Sequence, residues 1–139
     1  MSQREELSSM FEYDRWANLR WIDTARSLGH EAVLLHIVEA QVVWLSRIEN
    51  IPGWNASLDR LPLDIECSVR AWQRMLMGAD LGRVVSYSTS GAHYDNLVSE
   101  IARHVINHGS YHRGQLRGIA SERGVEFPES DYILFCRER

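Results

Sequence analysis

Leu7, Met10, Phe11, Ala17, Trp21, Ala25 and Leu28 recur three and four residues apart, the repeat that gathers side chains on one face of an α-helix. Asp14 and Asn18 fall on the same face and interrupt it. Ser2-Gln3-Arg4-Glu5 is a capping box, in which the Ser2 hydroxyl can accept from the amide three residues on, and Gly29 stops the repeat. A second helix is predicted over 31–49, through AVLLHIVEAQVVWLSRI, ending near Pro52-Gly53. Residues 52–61 read as a loop carrying Trp54, and Pro62 suits the first turn of a third helix over about 62–78. VVSYSTSGAHYDN alternates around Ser90-Gly91, a hairpin pattern. Asp95 or Asn96 is the expected cap of a long fourth helix that ends at Gly124. Phe127-Pro128 then breaks the chain before a tail, DYILFCRE, of one or two helical turns. Four long amphipathic segments with moderate connections predict an all-α protein, a helical bundle in one domain over residues 1–139 with a small hairpin before the last long helix.

Composition narrows the function classes. The formal net charge is −4, with no run of basic residues, so there is no electrostatic footprint for a nucleic-acid partner. No apolar run approaches the roughly 20 residues that span a bilayer, and the charged start MSQREELSSM does not resemble a signal peptide. Cys67 and Cys136 lie far apart in no motif, as reduced thiols do in a cytoplasmic protein.

The fourth segment carries RHVINHGSYHRGQ, with His104, His108 and His112 four residues apart. Residues four apart on a helix differ by about 40°, so the three imidazoles form one slanting stripe, which Gln115 rejoins and Leu97, Ile101 and Ile119 flank. Two histidines at this spacing can converge on one metal ion. They can equally be histidines on a solvated face, or core residues bonded to carbonyls. Gly109 and Gly114 tilt the balance, since each costs a helix about 1 kcal/mol relative to alanine and so implies close backbone approach. A metal needs a third ligand. His30 sits at a helix boundary and His93 in the hairpin, whereas His36 shares a helix face with Ala32, Ala40, Val43, Trp44 and Arg47 and is the strongest candidate.

YDRWANLR at 13–20, LLHIVEAQVVWLSRI at 34–48, STSGAHYDN at 88–96, HVINHGSYHRGQL at 104–116 and GVEFPESDYILF at 124–135 resemble the DinB-like (DinB/YfiT) superfamily of metalloenzymes, a family named for DNA-damage induction. The resemblance implies a four-helix bundle, up-and-down in a minor mirror topology, often a homodimer; five tryptophans in so short a chain fit an interface. It also implies a divalent metal held by His36, His108 and His112, with His104 as an outer group. Gln41 departs from the pattern, which favours an acidic residue there, and this puts a contact around the site or substrate in question.

Three neutral imidazoles leave positions open on the ion, as catalytic sites do. Such sites suit zinc or nickel, with iron or copper as alternatives. Asn107, Gln115, Asp14 and Asn18 are candidates to orient the ligands' second ring nitrogens, or simply to bond between helices. Tyr111 is the candidate catalytic acid, although core packing is its preferred reading. Relatives that use a low-molecular-weight thiol such as bacillithiol or mycothiol imply a thiol-dependent transferase acting on a small electrophile; metal-dependent hydrolysis and non-catalytic metal binding in a stress response are the alternatives.

Overall fold

The computed structural model describes residues 1–138. It is mostly helical, in the order α1 (Gln3–Leu28), α2 (Glu31–Glu49), a short 3-10 turn (Leu58–Arg60), α3 (Leu61–Gly78), β1 (Val84–Thr89), β2 (Ala92–Leu97), α4 (Val98–Arg123) and α5 (Tyr132–Glu138). The Ser2 hydroxyl accepts from the Glu5 amide at 3.1 Å and caps α1, while Gly29 and Gly124 close α1 and α4 at positive φ, where a side chain would be strained. Ser90 and Gly91 both adopt positive φ, which a tight two-residue hairpin turn requires, and Val84 pairs with Leu97 at the open end of the antiparallel ladder.

The start of α4 corrects one expectation. Asp95 and Asn96 do not cap it; they belong to β2, where Asp95 accepts from the Ser86 hydroxyl and Asn96 from the Tyr87 hydroxyl. Strand pairing runs to Leu97, so the helix begins at Val98, and the Glu100 carboxylate reaches back to accept from the Leu97 amide at 2.8 Å.

Helix α1 packs on α3, α4 and α2, and α2 packs on α3 and α4. The core divides into two main apolar clusters. One gathers Leu7, Phe11, Leu45, Trp72, Ile101 and Val105 beside the hairpin; the other gathers Trp21, Leu34, Ile37, Leu61, Ile65 and Leu116. Tyr13 and Ala17 with Phe135 form a third, smaller group that seats α5.

Between the two main clusters each long helix contributes buried polar groups. Arg113 on α4 donates to Asp14 at 2.8 Å and to Asn18 at 2.7 Å on α1; Gln41 on α2 donates to Asp14 at 2.5 Å and accepts from Ser68 on α3 at 2.5 Å. The Arg113 and Asp14 side chains are 3% and 0% exposed, so each charge depends on the other in place of water. Asp14 faces Gly109, where an added Cβ would lie 2.5 Å from its Oδ1. That close approach is what the sequence implied for a helical glycine. Gly114 does not share it: nothing lies within 4 Å of a Cβ built there.

Candidate metal centre

His108 and His112 project from successive turns of α4, and His36 faces them from α2. Their ring nitrogens converge: His36 Nε2 is 3.2 Å from His108 Nε2, and His112 Nε2 is 3.1 Å from it. A donor atom of each of the three lies within 4.8 Å of the other two. Ligands at about 2.0–2.1 Å from one tetrahedral ion stand about 3.3 Å apart, so the two shorter separations match nitrogens that share a metal. No cysteine or carboxylate joins the group among the described residues.

His108 also has the protonation that a ligand needs. Burial lowers the His108 pKa from 6.5 to about 4, helped by the neighbouring imidazoles of His112, His36 and His104. A neutral ring with a free lone pair is the form that binds metal. The Gln115 side-chain carbonyl lies 2.7 Å from His112 Nδ1, placed to accept a hydrogen bond from the tautomer that keeps its lone pair on Nε2. His36 is exposed while His108 and His112 are half-buried, so the convergence point opens to solvent on one side. The apolar surroundings expected around His36 are therefore only partial, because that residue stands at the rim of α2, with Val43 also exposed.

The other predicted residues scatter. His104 stands one turn before His108, with ring centroids 5.8 Å apart, and meets Trp44 edge-on. Asn107 faces away from the histidines and lines a cavity of about 730 Å³ between α1 and α4, which none of the three touches. Asp14 and Asn18 bond Arg113 within the core and make no hydrogen bond to a histidine among the described residues. Gln41 lies in that same buried layer, so its departure from an acidic residue touches the core and not the histidines. Tyr111 is not core: it is 65% exposed and stands edge-on to His112 at 5.3 Å. Arg113 was missed from sequence. The signal was present in Gly109, whose missing side chain makes room for Asp14 and the guanidinium.

A family model for the DinB family matches residues 1–139. The chain belongs to the DinB family. Protein DinB of Bacillus subtilis (strain 168) is 42% identical to it over 38 residues, a local match that spans 27% of this chain and only 22% of that relative's length. Within this DinB-family chain no described helix is long and apolar enough to cross a membrane.

Proposed function

We propose that this DinB-family protein is a metal-dependent enzyme that joins a low-molecular-weight thiol to a small electrophile, with one divalent ion, zinc or nickel, held by His36, His108 and His112. The convergence of three imidazole nitrogens at 3.1 and 3.2 Å carries the reading. Bound there, the metal would favour the anion of a thiol and hold it at the open side. The chain's own residues supply the rest. His108 stays neutral near pH 7, Gln115 fixes the proton of His112 on Nδ1, and Tyr111 stands beside His112 where its hydroxyl can serve a developing anion. Cys67 and Cys136 are free thiols, but neither belongs to the cluster, so the nucleophile comes from outside. Attack forms a carbon–sulfur bond, expels the leaving group as an anion and gives the thiol proton to solvent.

The finer fold accompanying this reading is an up-and-down four-helix bundle of mirror topology, working as a cytoplasmic homodimer. The mutual packing of α1 to α4 supports the bundle, and the two free cysteines fit a reducing compartment. Elemental analysis of purified protein should find about one divalent ion per chain, with strong loss in His108→Ala. Light scattering on the same sample should give twice the chain mass. Unchanged metal content in His108→Ala would remove that residue from the site, and a monomer across micromolar concentrations would dispose of the dimer.

A further inference from the structure

Beside the three histidines, where the hairpin meets α2 and α4, lies a cleft of about 240 Å³ lined by Trp44, Tyr87, Asn96, Glu100, Ile101 and His104. Its walls are aromatic. Trp44 and Tyr87 meet edge to face with centroids 4.9 Å apart and planes at 82°, and His104 meets Trp44 at 5.4 Å and 72°. The guanidinium of Arg47 stacks 4.5 Å from the Trp44 ring centre and 5.1 Å from that of Tyr87, which holds both rings in place.

His104 connects this cleft to the ligand row, since the next ring along α4 is His108. Its imidazole makes no hydrogen bond among the described residues, unlike those of His36, His108 and His112. The polar groups of the lining differ in what they leave free. The Asn96 carbonyl is taken by the Tyr87 hydroxyl at 2.6 Å. Glu100 uses Oε1 to accept from the Leu97 amide, which leaves Oε2 open, and it is the one carboxylate of the lining.

We propose that this cleft is the substrate subsite of the histidine centre and takes the body of a flat, single-ring molecule bearing an amine or other positively charged donor. The proposal rests on the three-histidine centre being the reacting centre, and it names the class of substrate that centre receives. The volume is below the roughly 300 Å³ at which pockets for drug-sized ligands begin, so it suits one ring with short arms. Trp44, Tyr87 and Ile101 offer the ring edge-to-face and apolar contact. Glu100 attracts a donor and repels a carboxylate. The free nitrogen of His104 bonds whatever polar group the ring carries on the metal side.

Benzylamine, benzoate and cyclohexylmethylamine separate these features. Protein as purified, with its metal content measured, is titrated with each while the Trp44 indole and His104 ring resonances are followed by NMR. Benzylamine should shift both saturably and bind about tenfold tighter than benzoate, a factor worth about 1.4 kcal/mol, with cyclohexylmethylamine also weaker. Glu100→Gln keeps an acceptor for the Leu97 amide and should bring benzylamine and benzoate within about twofold, a contrast that falls with the loss of the charged bond. Trp44→Leu should weaken benzylamine without changing the metal content. Equal affinity for benzylamine and benzoate overturns the proposal. So do shifts centred on His108 and His112 that ignore Glu100→Gln, since these would mean simple coordination of the amine. Absence of metal would sink the proposed activity, whereas benzylamine shifts at Trp44 that respond to Glu100→Gln would still locate the subsite.

Discussion

His108 sits among three other imidazoles in a half-buried position, and both conditions oppose a second charge there. Its pKa of about 4 lies below the 6.5 of an unperturbed imidazole. In metal-free protein, NMR titration should therefore find His108 unprotonated through pH 5, and a midpoint near 6.5 would mean the ring is solvated. The same shift ties stability to pH. Between pH 6.5 and about 4 the unfolded chain binds a proton that folded His108 refuses, so acidification through this window favours unfolding, with no contribution above it and no further loss below. Chelated protein should lose melting temperature across this range, and His108→Asn should lose less. The histidines were legible in the sequence because the helical period alone stacks residues four apart. His36 was legible as well, as the histidine that shares a face of α2 with Ala40 and Trp44; its exposure at the rim was not. Tyr111 went the other way: aromatic residues are commonly buried, but α4 has no helix covering it at the turn beside His112.

At the level of helices, the buried layer of Asp14, Asn18, Gln41, Ser68 and Arg113 ties α1, α2, α3 and α4 at one height, with apolar clusters on either side. A slip of any helix would leave buried polar groups unpaired, which costs more than the bonds themselves contribute. The layer thereby fixes the register that brings His36 opposite His108. Sequence showed half of this. Asp14 and Asn18 stood out on an apolar face, but Arg113 was not singled out, and only the helical Gly109 one turn earlier marks the close approach of α1 there. Asp95 and Asn96 were read as a cap by their chemistry, and the longer β2 ladder took them instead. Two of the three glycines of α4 now divide. Gly109→Ala would push a methyl group against Asp14 Oδ1 at 2.5 Å, Arg113 Nη1 at 3.1 Å and Ile37 Cγ2 at 3.5 Å, and overpacking of this kind costs about 1–3 kcal/mol. Gly114→Ala meets nothing within 4 Å and should stabilise the helix by about 1 kcal/mol. Urea unfolding of the two variants checks both signs; a neutral Gly109→Ala would mean the layer yields easily.

For the whole molecule the question is whether the metal centre holds the helices together or only uses them. The apolar clusters draw on all four long helices and the hairpin, and Phe11, Leu34, Ile65, Trp72 and Leu116 are fully buried without help from any histidine. His36 is exposed and His108 and His112 are half-buried, so the three rings lie at the rim of that core. Zinc-dependent folds differ, because there the binding free energy is the folding free energy. Here the proposed ion between α2 and α4 would add only its linkage term, about 2.7 kcal/mol when free metal is a hundred times its Kd. For a chain of this length each kcal/mol moves the melting temperature by about 2–4 °C. Chelated protein should accordingly give a cooperative circular dichroism melt about 5–10 °C below the metal-loaded one. His112→Ala should melt close to the chelated protein and show no turnover of an aryl halide with added thiol. A helical signal that vanishes on chelation would make the site structural and remove the basis for the proposed enzyme. A cooperative melt with activity lost only alongside the metal is the expected result, because the proposed ion would sit on a core that closes without it.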